Sequence, residues 1–122
     1  MSVEINIEPE GVEEFKEAIN RFDLEMQEQL KQRLAEWAEK TRADASRLAP
    51  VRTGYLRSTV YARSQEWNAE IGAEASYAGS VEFGTLTAQA KPFLNPAVQA
   101  NAPELERLFL QALDSAKAEA GL

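Results

Sequence analysis

A carboxylate set between two apolar side chains is the residue best placed to do chemistry in this sequence: Glu82 stands between Val81 and Phe83. In a sheet with one wet face it would point to water; otherwise it would be desolvated and would need a cationic partner such as Arg52, Arg57 or Lys91. A buried carboxylate is the starting point of a carboxylate-based hydrolase, but a lone one is no catalytic dyad. The second feature is the run Arg42, Arg47, Arg52, Arg57 and Arg63. It could contact nucleic acid as a small DNA-binding module, or it could complement the dipoles of helix ends and pair with acidic segments. Only Tyr55 and Tyr61 fall near these arginines, so no aromatic stacking platform is interleaved with them. Gly72, Gly79 and Gly84 are too far apart for a phosphate-binding loop and do not lead from a strand into a helix.

Cysteine and histidine are both absent from the 122 residues. Disulfides, thiolate nucleophiles, Cys/His zinc sites and imidazole bases are therefore excluded. No catalytic, cofactor-binding or metal-ligating residue is assigned, and a non-enzymatic protein without cofactors is expected. The net charge of −7 argues against a general nucleic-acid coat or a polybasic membrane binder. That charge is segregated: residues 1–30 carry −7, residues 31–63 carry +5 and residues 64–122 carry −5. These blocks are either solvated faces or a basic middle that meets the acidic face of a neighbouring subunit. The start Met-Ser-Val-Glu has no apolar run behind it, and no window approaches the roughly 20 apolar residues of a membrane span. A soluble protein of the cytosol or of an assembly is expected, with no membrane partner.

One domain over residues 1–122 must position these residues. Val3, Ile5 and Ile7 alternate with polar residues, predicting a strand over 3–8. Phe15, Ile19, Phe22, Met26, Leu30, Leu34, Trp37, Thr41, Ala45 and Leu48 then recur at steps of three or four, one face of a helix over 11–49 that Pro50 stops. Such a helix would be about 55 Å long, against a domain diameter of roughly 35 Å. It either breaks near Asn20 to Leu24, where Asn20 and Asp23 could cap a second segment, or projects and is covered by another subunit. Antiparallel strands are predicted over 57–84: Ser58, Val60 and Ala62, then Trp67, Ala69, Ile71 and Ala73 after a loop of several residues, then Tyr77, Gly79, Val81 and Phe83 on one face. An exposed loop follows over 85–91. Asn95-Pro96 starts a C-terminal helix over 96–119, with a break near 101–103 where Asn101 and Glu104 resemble a capping box around Pro103. The fold class is α+β: a long helix and a C-terminal helix packed on a small antiparallel sheet of three to four strands.

Four segments in register carry a resemblance. Leu48-Ala49-Pro50 precedes Thr53-Gly54-Tyr55-Leu56-Arg57-Ser58; a hairpin ends Ile71-Gly72; Tyr77-Ala78 precedes Val81-Glu82-Phe83-Gly84-Thr85; Lys91-Pro92-Phe93-Leu94-Asn95-Pro96-Ala97 follows. In this order and spacing they resemble the small neck proteins of long-tailed lambdoid phages and prophages, minor virion proteins described as head-to-tail joining, tail-completion or tail-terminator proteins. The resemblance implies a structural subunit of a ring in the virion neck, assembled in the host cytoplasm, whose partners are its own copies and the phage connector and tail proteins. Transient contact with passing DNA is compatible with a few arginines on an inner surface. A tail terminator capping the tail tube is the neighbouring reading. Physically, Pro50 stops the helix, Gly54 allows a turn that Thr53 can cap, Gly84-Thr85 releases a strand into a mobile loop, and Pro92 and Pro96 flank Phe93 and Leu94 as a rigid apolar clip. Leu56, Arg57, Tyr77 and Glu82 complete the motif positions. Arg42, Arg47, Arg52, Leu86 and Lys91 are the candidate subunit contacts, with the 85–91 segment expected to order on docking.

Overall fold

The N-terminal alternation is realised as strand β1 (Val3–Ile7) in a computed structural model that describes residues 2–7, 17, 24–51 and 54–119. Helix α1 (Leu24–Leu48) follows, then a single helical turn α2 (Tyr55–Ser58), strands β2 (Val60–Gln65) and β3 (Asn68–Ala73), a short helix α3 (Ala78–Phe83) and the C-terminal helix α4 (Leu94–Glu119). The proposed helix break, the apolar positions Phe15, Ile19 and Phe22, and Thr53 and Arg52 lie outside the described residues. The sheet has three antiparallel strands in the order β1-β3-β2. The α+β class is as expected.

Helix α1 buries the stripe its spacing predicts. Leu30, Leu34, Trp37, Thr41 and Ala45 are all buried, joined by Ala38 and Ala49, whereas Leu48 is exposed at the helix end. Thr41 tolerates full burial because its Oγ1 donates to the Trp37 carbonyl at 2.9 Å, one turn back. The stripe packs against the inner face of the sheet and against α4. That inner face is supplied by Val60, Ala69, Ile71 and Ala73, with Val3 and Ile5 half-buried at the β1 side. Phe93, Leu34, Ile71 and Leu94 are the largest apolar side chains fully removed from solvent.

Four expectations are corrected. The segment 77–83 is helical: Ala78, Gly79 and Glu82 face inward at helical spacing, while Phe83 is 63% exposed. A short apolar run fits either period, and here tertiary contacts choose the helical one. The first expected strand begins later, because Gly54 at φ +83° starts the turn α2, closed by the Ser58 amide on the Gly54 carbonyl at 3.1 Å. The hairpin loop is also shorter than expected. Gln65 pairs with Asn68, and Glu66 adopts φ +53° in a two-residue turn. Lys31 of α1 fastens that turn, 3.0 Å from Glu66 and 5.4 Å from the centre of the Trp67 ring.

The last correction concerns α4, which starts at Leu94 and runs through Pro103 without ending. Asn101 does not cap a new helix; its Nδ2 donates to the Ala97 carbonyl and to Asp44 Oδ2, each at 2.9 Å. Its carbonyl accepts the Trp37 indole N–H at 2.8 Å. Anchoring of α4 to α1 on both sides of Pro103, with Lys40 paired to Glu104 at 2.6 Å, holds the helix through a residue that would interrupt it in isolation. The Asn101 bond, ahead of the Arg47 charge, holds the Asp44 carboxyl below its ordinary range.

Candidate functional site

Glu82 is 3% exposed, and among the described residues it takes no cation. Its Oε1 accepts the backbone amides of Phe93 at 3.0 Å and Leu94 at 2.9 Å; its Oε2 accepts the Asn95 amide at 3.2 Å and Asn95 Nδ2 at 2.9 Å. These amides are the unpaired donors at the start of α4, where the helix dipole is positive. Desolvation is thus offset by a helix N-terminus, which corrects the expectation of Arg57 or Lys91 as partner; Arg52 lies outside the described residues. Two bonds on each oxygen occupy the four lone-pair sites of the carboxylate. The group is built to hold α3 against α4, and the hydrolase reading loses its base.

The neighbouring motif residues complete the joint. Gly84 at φ +80° turns the chain out of α3, and a Cβ there would lie 2.8 Å from the Ala90 amide nitrogen. The 85–91 loop is exposed but internally tied, contrary to its expected lack of local structure. Thr85 Oγ1 accepts the amides of Thr87 at 3.3 Å and Ala88 at 3.0 Å, and the Lys91 amide closes the loop on the Val81 carbonyl at 2.8 Å. Leu86 stands fully exposed at its tip, with Pro92 and the Lys91 side chain also outside. Phe93 and Leu94 plug into the core, and Pro96 is half-buried in the first turn of α4.

The arginines are dispersed over local tasks. Arg42 pairs with Glu39 and Arg47 with Asp44, both at 2.7 Å. Arg57 donates to the carbonyls of Arg47 at 2.9 Å and Ala49 at 3.2 Å, completing the C-terminal end of α1 just before Pro50. Leu56 beside it is buried, and Tyr55 leans on Tyr77 with ring centroids 6.4 Å apart, both rings partly in solvent. Arg63 stacks on Tyr61 at 4.4 Å. Of the candidate subunit contacts, Arg42 and Arg47 lie on α1 and Leu86 and Lys91 on the 85–91 loop, and no hydrogen bond or ion pair among the described residues joins the two groups. Pro50 is half-buried where α1 stops.

Sequence reasoning missed one constellation, on the outer face of the sheet. Glu4, Gly72 and Tyr61 form one cross-strand row, and the Tyr61 hydroxyl crosses β3 to donate to Glu4 Oε2 at 2.6 Å. Only glycine leaves room: a Cβ on Gly72 would sit 2.6 Å from both the Tyr61 hydroxyl and the Val3 carbonyl oxygen. The pairing of Gly72 with Tyr61 and Glu4 is visible only once the strand register is known. Burial, then the Glu4 bond, pushes the Tyr61 phenol from 10.0 up to about 12. The unfolded chain releases that proton near pH 10 and the folded chain only near pH 12. The stability it contributes is therefore complete below pH 10 and is lost as pH rises to 12. Ultraviolet titration should show one phenolate appearing near pH 12 in the parent and absent in Tyr61→Phe. Gly72→Ala should cost about 1–3 kcal/mol in a urea melt, because the Val3 carbonyl cannot move aside without opening the sheet, and should return the Tyr61 titration toward 10.

Among the described residues no cluster of acidic side chains is placed to hold a metal ion, and no helix is long and apolar enough to cross a membrane. Compared with known families, residues 13–84 match the model of the HK97-gp10-like family, described as "Bacteriophage HK97-gp10, putative tail-component". The match takes in the turn at Gly54, the hairpin and α3 with Glu82 and Gly84, while the Pro92–Pro96 clip lies beyond it. Neither the curated proteins nor the solved structures yielded a match.

Proposed function

Since the chain belongs to the HK97-gp10-like family of bacteriophage tail components, we propose that it is a structural assembly subunit of the phage neck, one copy of a ring that joins head to tail. The family match over residues 13–84 carries this reading. The local roles of the motif residues support it. Gly54 and Arg57 finish α1, Glu82 ties α3 to the start of α4, and Gly84 and Thr85 present Leu86 on an anchored loop. These are joints of a scaffold, with the acceptors of Glu82 consumed internally. In the virion the subunit sits between connector and tail tube, with its own copies and those proteins as partners. Arg42 and Arg47 of α1 pair with acids of the same helix, which favours assembly over a DNA-binding module; filter binding across salt concentrations separates the two.

Native mass spectrometry and negative-stain imaging of the purified protein, alone and with isolated tails, test the reading. Closed oligomers, or oligomers formed on tail ends with reduced hydrogen exchange over 85–91, are expected. A monomer under both conditions, with unchanged exchange in that loop, contradicts it.

A further inference from the structure

Among the described residues the two edges of the sheet are unpaired, in a way that suits a second copy of this chain. The Glu74 amide bonds to the Thr59 carbonyl at 3.2 Å, which sets the phase of the β2–β3 ladder. Tyr61, Arg63 and Gln65 exchange bonds with β3, and the amides and carbonyls of Val60, Ala62 and Ser64 point away from it. By the same alternation, those of Glu4 and Asn6 point outward from β1. Among the described residues no hydrogen bond from these outward backbone groups is made. Neither strand carries a proline or a bulge to blunt its edge.

Direction and charge say which edge meets which. Both β1 and β2 are antiparallel to β3, so they run the same way. A copy continuing the sheet laterally in the same sense presents β1 to β2 in parallel, a heterologous contact of the kind that closes into a ring. On the outer face this junction brings Arg63 of one copy to the strand carrying Glu4 of the next. Pairing like edges would instead set Arg63 near Arg63 or Glu4 near Glu4. A packing observation agrees: α1 lies beneath β2 and β3, leaving Val3 and Ile5 of β1 only half-buried. A neighbour's β2 beside β1 brings its own α1 alongside, extending the helical layer under those two side chains.

We infer that copies join head to tail through a parallel junction between β2 of one and β1 of the next, making one continuous sheet around the assembly. The inference rests on the ring reading above. Ala62→Pro tests it, because the Ala62 amide faces outward and the substitution removes no ladder bond within the chain; Asn6→Pro does the same from the other edge. Both should keep the circular dichroism and melting midpoint of the parent and lose the oligomer in native mass spectra. The chain has no cysteine, so Glu4→Cys or Asn6→Cys combined with Arg63→Cys or Gln65→Cys should give a disulfide ladder of linked copies for at least one pair. That measurement stands even where a proline variant fails to fold. Rings that persist in folded proline variants, or rings of which no cysteine pair cross-links, overturn the junction and leave the ring reading intact. A parent that never oligomerises overturns the ring reading itself.

Discussion

Glu82→Ala is expected to lower the unfolding free energy by about 3–5 kcal/mol, because it strips three backbone amides and one side-chain amide of a charged acceptor in a site closed to water. Glu82→Gln should cost less, about 2 kcal/mol: one oxygen remains to accept, and the new amide group opposes donors on the other side. Phe83→Ser, one residue on, should stay within about 0.5 kcal/mol, since Phe83 is largely in solvent. Urea denaturation of the three variants checks the series. The ranking discriminates between structures as well as energies. In a strand over 77–83 with Phe83 inward and Glu82 outward, the costs would be reversed.

Phe93→Ala is expected to cost about 3–5 kcal/mol, the range for removing a large aromatic from a closed core. Phe93 is fully buried, and the same residue donates its amide to Glu82. The truncated side chain leaves a cavity where α4 begins, while the amide bond can still form. Phe93→Leu should retain most of the volume and cost under about 1.5 kcal/mol. A double variant with Glu82→Ala should fall short of the sum of the singles, because both substitutions free the same segment. Chemical denaturation of the single and double variants measures that coupling.

The legible parts of the fold were those whose burial repeats with a local period. Leu30, Leu34, Trp37, Thr41 and Ala45 are spaced for a helix face and are buried; Trp67, Ala69, Ile71 and Ala73 are spaced for a strand face and are buried. What escaped depends on partners distant in sequence. Tyr77, Gly79, Val81 and Phe83 alternate as a strand would, yet the segment winds because Glu82 is drawn to amides eleven or more residues away. Asn101 and Glu104 have the spacing of a capping box, yet their side chains are taken by Asp44 and Lys40 on α1. The hairpin turn places a glutamate at positive φ where no glycine marks it.

The candidate site followed the same division. Glu82 is conspicuous as a carboxylate among apolar neighbours, and desolvation is one of the two outcomes that position allows; a helix start, which has no sequence mark at Glu82 itself, takes the place of the expected cation. The arginine run was conspicuous too, and its helix-end reading describes Arg57, while Arg42 and Arg47 pair with acids one turn away. The Tyr61–Glu4 bond needs the register of three strands, which no local pattern supplies.

Removing this chain from an assembling phage tests most directly the proposal that it joins heads to tails. A stop codon early in the reading frame, followed by negative-stain imaging of the lysate, should yield filled heads and separate tails, with joined particles restored when the parent protein is supplied. Complete, infectious particles assembled without the protein would contradict the account.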